Sequence, residues 1–581
     1  MARRTNTSDE PKTHRPPVRG RHWAVSTNHW LASLAASRIL DKGGNAVDAG
    51  VAAGMTLGVL QPDIVGSTGV APMIIYLADR DEVVTISGLG RWPRNASPEF
   101  FEKYHGGDLP LGVLRCVTPA AIDAWCQALE LYGTLSFADV AEAAHDLAAG
   151  GFATHRLLAE TIAEDQELYG RWPSSAAVFL AQGRAPFAGE AFVQSDLGRT
   201  FARLIEAECR STGGREAGIR AVRDEFHQGS IARDILAHFE AEGGLMTADD
   251  LADFRSGHEA PEKVSFGEWE IYSCGAWCQG PLLLEAAKLF SHHDFGENAA
   301  NSIDYTHDLT ELFKLGFADR EAYFGDPEFV DVPLDDLLSD SYAAERVKSV
   351  DRLCAAPDLP SAGETRLGRP ETPWVWEATN SQQKNRTHQD TTFLCVVDKD
   401  GNGFSATPSD GYSTAGIIPG LGFAASTRGD QNWIDRRHPS VIAPWKRPRL
   451  TPNPALAKKN GKLAFLFGTP GGDVQIQAML QVFVNHAVHG MDPQAAIEAP
   501  RFASESFPGS FWPHTHKPGV LRLEPALMHH AGELEARGHT IVPWPELGWR
   551  AGGVCAIAVD EETGDRIAGA DPRRECYALA W

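Results

Sequence analysis

Two adjacent threonines, Thr391 and Thr392, open an alternating, β-prone run, TTFLCVV, that ends in a DKDG turn. The pattern predicts one strand of a hairpin. Residues 355–390 precede it, polar, proline-bearing and without hydrophobic period, and read as a loop. Loops this long are uncommon unless functional or disordered. A threonine at the mouth of a strand behind such a loop can act as an N-terminal nucleophile. If the Asp390–Thr391 bond breaks, Thr391 gains an α-amine beside its own hydroxyl, and base and nucleophile share one residue. The cleavage itself would be attack of Thr391 Oγ on the Asp390 carbonyl, transfer of the acyl group to oxygen, and release by water. The new amine has an ordinary pKa of about 7.7–8.0, near working pH as a general base requires. The plain alternative is a threonine that merely favours β structure, behind an ordinary surface linker.

A second chemical candidate is Gly471-Gly472, between a strand pattern at 463–468 and a helical pattern at 474–490. Free N–H groups at a helix N-terminus bind negative charge. The pair can therefore serve an oxyanion, or be only a tight turn with Asp473 near the helix start. DKDGNG imitates the opening of a calcium loop, with Asp398, Asp400, Asn402 and Gly403. The twelfth position is Ser409 rather than glutamate, and a strand precedes the loop, so it reads as a hairpin turn. The histidine pairs (His292-His293, His514-x-His516, His529-His530) read as solvated surface. Cys274 and Cys278 form CxxxC with no second pair at zinc spacing. No metal site and no cofactor are expected.

Elements to position these groups are legible along the chain. Residues 24–29 predict a short strand and turn. Helices are predicted from Trp30 to the Gly43-Gly44-Asn45 stop and again from Ala46, the second apolar on every side and therefore buried. MIIYLADRDEVVTISG predicts a hairpin around residues 79–81. Residues 115–255 are mostly amphipathic helices, including 120–132, 137–149 and 229–242. A strand is predicted over 266–273 and helices over 282–290 and 304–323. After residue 390 strands dominate, at 392–397, 402–407, 463–468, 554–559 and 576–581. The two sequence blocks imply one layered α/β core built from both.

The chain has 581 residues, 43% of them hydrophobic, and a formal charge of −24. Such a surface repels phosphate backbones, so no nucleic-acid partner is expected. No apolar run reaches about 18 residues, so no membrane span is expected. Residues 1–21 are basic without an apolar stretch behind them, which predicts a disordered tail and a cytoplasmic protein.

Several blocks, in order, resemble the γ-glutamyltransferase family of N-terminal nucleophile hydrolases. They are GGNAVDA (43–49), GGLMTADDLADF (243–254), ADREAYFGDPEFVDVP (318–333), TTFLCVVDKDGNG (391–403), GTPGGD (468–473), APRF (499–502) and GADPR (569–573). The resemblance implies a four-layer αββα fold, made as a precursor and cut into a large subunit (22–390) and a small subunit (391–581) that stay together. A homodimer of such heterodimers is allowed. It implies that Thr391 is the nucleophile, that Ser409 stands where a second hydroxyl residue bonds it, and that Gly471 and Gly472 form the oxyanion hole.

Departures from the family fall on substrate recognition. The arginine that holds a glutamate α-carboxylate is matched by Leu89, with Arg91 two residues on as a substitute candidate. A Ser-Ser pair is matched by Leu450-Thr451, an ammonium-binding acid by Gln431, and an asparagine by Gly411. Arg428, Arg447 and Arg449 can instead offer a carboxylate-binding fork. A site built for a substrate's charges rejects analogues lacking them. The converse predicts a small non-peptide or acyl amide as substrate, as in the oxamate- and cephalosporin-hydrolysing branches. The alternatives are an authentic γ-glutamyltransferase or glutathione hydrolase, and an uncleaved binding protein.

Overall fold

The computed structural model describes residues 13–296, 300–370 and 390–581. Two seven-stranded sheets stack at its centre. One runs in the order Val18–Gly20, Arg566–Ala570, Cys555–Val559, Lys462–Gly468, Ala455–Lys459, Trp269–Ser273, Glu262–Phe266. The other runs Tyr577–Ala580, Ala24–Thr27, Leu394–Val397, Gly403–Ala406, Met73–Leu77, Glu82–Ile86, His258–Glu259. Each sheet mixes strands from before and after residue 390.

Alternation along these strands builds three cores. Phe393, Cys395 and Val397 point between the sheets and meet Leu456, Leu466 and Ile557. Leu394 and Val396 point the other way, onto the helices Trp30–Asp41, Ala46–Leu60 and Phe137–Gly150. Phe465 and Phe467 face the helices Gly280–His292, Ile303–Tyr323 and Gln475–Ala487. The result is the expected four-layer αββα fold. A strand buried on both faces is apolar at every position, as LCVV is.

The helix Ala46–Leu60 shows why small residues were needed. All its residues are buried. A Cβ on Gly50 would stand 2.2 Å from the Phe404 ring, and one on Gly54 would stand 2.6 Å from Trp125. Asn45 caps the helix reciprocally with Asp48. The Ala46 N–H bonds Asp398 Oδ2, whose Oδ1 accepts from Asp400 and Asn402. Asp398 thus ties the hairpin turn to a helix N-terminus, and its oxygens are occupied by N–H donors rather than arranged for calcium.

Two expectations need correction. The tail is ordered before residue 22: Val18–Gly20 pairs with Arg566–Ala570 as an edge strand, and His14 bonds Glu498. Residues 1–12 lie outside the described residues. The strand expected over 266–273 is a hairpin, Glu262–Phe266 with Trp269–Ser273, which turns at Gly267 (φ +58°). Of the expected loop, residues 355–370 contain no helix or extended strand, and 371–389 lie outside the described residues. No described helix is long and apolar enough to cross a membrane.

Candidate active site

Strand register positions the central pair. Leu394 faces Ala406 across the hairpin, and the same register carries back to an isolated bridge between Thr391 and Ser409. Thr391 Oγ1 lies 2.9 Å from Ser409 Oγ. Ser409 is held from its other side by Val70 through reciprocal backbone bonds of 3.0 and 3.1 Å. Thr391 is 0% exposed and Asp390 4%, so in the continuous chain the hydroxyl is closed off from solvent.

The bond before Thr391 is gripped at every polar atom. The Asp390 carbonyl oxygen accepts from Ser409 Oγ at 2.9 Å and from Arg428 Nη2 at 2.7 Å. The same Nη2 donates to Ser409 Oγ at 2.5 Å. The Thr391 N–H donates to Asp390 Oδ1 at 2.8 Å, and Arg574 holds Oδ2 at 2.6 Å. Gln475 Nε2 reaches Thr391 Oγ1 at 3.4 Å from the first turn of its helix.

Gln475 follows directly on the glycine turn. Gly471 has φ +125° and Gly472 φ +56°, values that L side chains avoid. Neither N–H donates to a described residue. Gln279 fixes the turn by donating to the Gly472 carbonyl at 3.0 Å and the Thr451 carbonyl at 2.9 Å. Arg320 donates to Gln279 Oε1 at 3.2 Å and pairs with Asp473. A cavity of about 390 Å³ opens on Gly471 and Gly472 and is walled by Phe511 and Trp512. The Arg428 guanidinium lies 5.2 Å from the Phe511 ring centre.

Gln431 sits on the same 3₁₀ turn as Arg428. Its Nε2 donates to Thr451 Oγ1 at 3.0 Å and its Oε1 accepts the Thr451 N–H at 3.3 Å. Gln431 and Thr451 thus satisfy each other. Leu89 is 1% exposed, packed with Val70, Trp277 and Leu450. An apolar residue with apolar neighbours replaces the arginine that the family pattern calls for.

Arg91, the substitute candidate, is engaged elsewhere. Its guanidinium bonds Glu328 through both Nη atoms, at 3.0 and 2.5 Å, and the Trp445 carbonyl at 3.0 Å. The fork also reduces to one member. Arg447 is held by Asp326 and Glu259, and Arg449 by Glu321 at 2.9 Å. Arg428 keeps Nε and Nη1 without a partner among the described residues. Glu321 is itself the hub of a buried network with Arg320 and His438. Burial raises its pKa, but the charges of Arg449 and Arg320 outweigh that and hold it well below the usual range.

The histidines are not surface groups throughout. His514 is buried, stacked 3.7 Å from Trp433 and bonded to the Gly509 and Asn432 carbonyls. His307, Glu311 and His539 are close enough to ligate one ion. Yet both Glu311 oxygens already accept, from Lys314 and the Ala356 N–H, and the Lys314 ammonium repels a cation.

Sequence reasoning did not single out Gln279, Gln475 or Arg574. Glutamine and arginine are common surface residues, and only the fold brings these three to the cluster. The one available signal was the position of Gln475 directly after the Gly-Gly turn.

Comparison with known proteins now decides the family. The model for gamma-glutamyltranspeptidase matches residues 32–581. The chain belongs to the γ-glutamyltranspeptidase family. Within it, a Bacillus subtilis (strain 168) protein named glutathione hydrolase-like YwrD proenzyme is 30% identical over 567 residues, 97% of this chain and 99% of that one. The acylase ACY 1 proenzyme of Pseudomonas sp. (strain SE83) is 32% identical over 563 residues, 94% and 91% of the two chains. The crystal structure of cephalosporin acylase from Bacillus halodurans superposes with a TM-score of 0.83 at 26% identity, covering 99% and 98%. γ-Glutamyltranspeptidase relatives of this kind are hydrolases and acylases with the N-terminal nucleophile fold, so amide hydrolysis is the family's chemistry.

Proposed function

We propose that this protein is a self-processing, threonine-dependent amide hydrolase of small acyl amides other than γ-glutamyl compounds. The observation that carries the reading is the Thr391–Ser409 hydroxyl pair, 2.9 Å apart beside an Asp390 whose carbonyl is held by Ser409 and Arg428 and whose side chain is held by Arg574. Cleavage between Asp390 and Thr391 would free the α-amine as base for its own hydroxyl. Thr391 Oγ then attacks the substrate carbonyl, and the N–H groups of Gly471 and Gly472 receive the oxyanion. The acyl-Thr391 ester is discharged by water in a ping-pong cycle that draws only on this chain's groups. Subunits 22–390 and 391–581 would remain together, because each sheet mixes strands of both. The proenzyme names of two relatives support a precursor.

Substrate choice follows from which charges are free. A zwitterionic glutamyl head would meet buried Leu89 and a Gln431 already engaged with Thr451. Arg428, once Asp390 has left, offers unpartnered donors to a carboxylate or another acceptor on the acyl group. The relative named glutathione hydrolase-like keeps γ-glutamyl hydrolysis as the second reading. Steady-state assays on γ-glutamyl-anilide, carboxylate-bearing acyl amides and neutral amides separate the two. Carboxylate-bearing amides should be turned over fastest, and brisk γ-glutamyl turnover would contradict the substrate assignment.

A further inference from the structure

We infer that Arg428 and Ser409 form an oxyanion pocket for self-cleavage, chemically separate from the Gly471–Gly472 turn that serves substrate. The inference rests on the self-processing reading and assigns to it a group outside the Thr391 pair.

Burial without compensation is the first observation. Arg428 is 0% exposed. Other buried arginines of this chain each meet a carboxylate: Arg320 with Glu321, Arg447 with Asp326, Arg449 with Glu321, Arg501 with Asp571, Arg574 with Asp390. Arg428 meets none among the described residues. Its bonds go to the Asp390 carbonyl and to Ser409. A buried charge lacking a counter-charge is costly, and this one is aimed at the oxygen that becomes negative when Thr391 attacks. Preorganised donors at such an oxygen are what lowers an acyl-transfer barrier.

Hydrogen counting fixes the directions. Arginine only donates, and Ser409 has a single hydroxyl proton. That proton goes to the Asp390 carbonyl oxygen, 2.9 Å away. Ser409 Oγ then accepts from Arg428 Nη2 and from the Thr391 hydroxyl. In the step itself, Thr391 Oγ bonds to the Asp390 carbonyl carbon. The Thr391 proton passes to Ser409 Oγ while the Ser409 proton moves to the carbonyl oxygen, whose developing charge Arg428 holds meanwhile. Collapse breaks the carbon–nitrogen bond, returns that proton to the Thr391 nitrogen and leaves an ester. Water hydrolyses the ester to an Asp390 carboxylate and a free Thr391. Arg574 is a positioning residue here, since it anchors the Asp390 side chain and so aims the carbonyl at Arg428.

The glycine turn takes no part in this geometry. The Gly471 and Gly472 N–H groups donate to nothing described, whereas the Asp390 carbonyl already has two donors. Two oxyanion sites for two reactions can therefore be separated by mutation.

The test follows conversion of freshly made full-length chain to fragments on a denaturing gel, beside amide turnover by the matured fraction. Arg428→Met should slow conversion by about 100-fold or more, the cost of losing one oxyanion donor. Arg428→Ala should be equally slow and be accelerated at least tenfold by ~50 mM guanidinium ion, a rescue that a merely structural arginine does not give. Gly472→Ala should convert within threefold of wild type while losing amide turnover. Arg428→Met converting at the wild-type rate, or no acceleration of Arg428→Ala by guanidinium, overturns the inference and leaves the hydrolase reading intact. Conversion of Thr391→Ala at the wild-type rate would instead overturn the reading on which it rests.

Discussion

Thr391 and Ser409 face each other at 2.9 Å because a hairpin register that starts at the DKDG turn runs unbroken to the bottom of the strand. The second hydroxyl is therefore a consequence of strand pairing. Ser409→Ala removes the acceptor for the Thr391 proton and one donor to the Asp390 carbonyl. Conversion to fragments should fall by about 100-fold. Ser409→Thr keeps the hydroxyl and should retain both conversion and turnover. Wild-type conversion by Ser409→Ala, read on a denaturing gel, would rule out the relay.

Gly472 has φ +56° and a carbonyl held by Gln279. Among the described residues a Cβ there would meet only Phe511, at 3.5 Å, so the cost of Gly472→Ala is backbone strain and a displaced N–H. Amide turnover by the matured enzyme should lose about 2.7–4 kcal/mol of transition-state stabilisation, seen in kcat with little change in KM. An unchanged kcat would remove the turn from the mechanism.

Gly50 is a packing residue. Its missing side chain admits Phe404 of the strand opposite the nucleophile strand. Gly50→Ala overpacks that contact and should cost about 1–3 kcal/mol. Thermal unfolding in the Thr391→Ala background, which should stay uncut, measures this without interference from processing. An unchanged melting temperature would contradict the tight packing.

Acid should weaken the fold. Burial depresses His227 and His514 to about 4 and His438 to about 3. Unfolded, each titrates near ~6.5. Between those values the unfolded chain binds more protons, so their contribution is present above pH ~6.5 and lost as pH falls toward 4. His155 has the opposite sign. Burial pulls it down, but the bond and charge of Glu575 outweigh that and raise it, so its contribution lies below pH ~6.5 and is lost as pH rises. The depressed set outnumbers it. Thr391→Ala protein should melt at a lower temperature at pH 5 than at pH 7, and the reverse order would contradict the assignment.

How much of this was readable beforehand depended on range. The hairpin at 73–86, the all-buried helix from Ala46 and the TTFLCVV strand announce themselves through local period, and the structure has each. Strands Ala455–Lys459 and Arg566–Ala570 were not read. LAKK and RIAGA have weak alternation, and pairing with neighbours rather than propensity makes them strands. At the site, Thr391, Ser409, Arg428, Gln431, Thr451 and Gly472 come together. The pairing of Arg91 with Glu328, 237 residues away, was not legible. Arg574, 184 residues beyond Asp390, was missed for the same reason. A long-range ion pair leaves no trace in local sequence.

The central claim is that Thr391 becomes an N-terminal residue and carries the acyl group. Intact-mass spectrometry of the small fragment, acid-quenched during turnover of a carboxylate-bearing amide, tests it directly. The account predicts a fragment that begins at Thr391 and ends at Trp581, part of it heavier by one acyl group, with the adduct on residue 391. A full-length chain that never divides, or an adduct on any other residue, would contradict it.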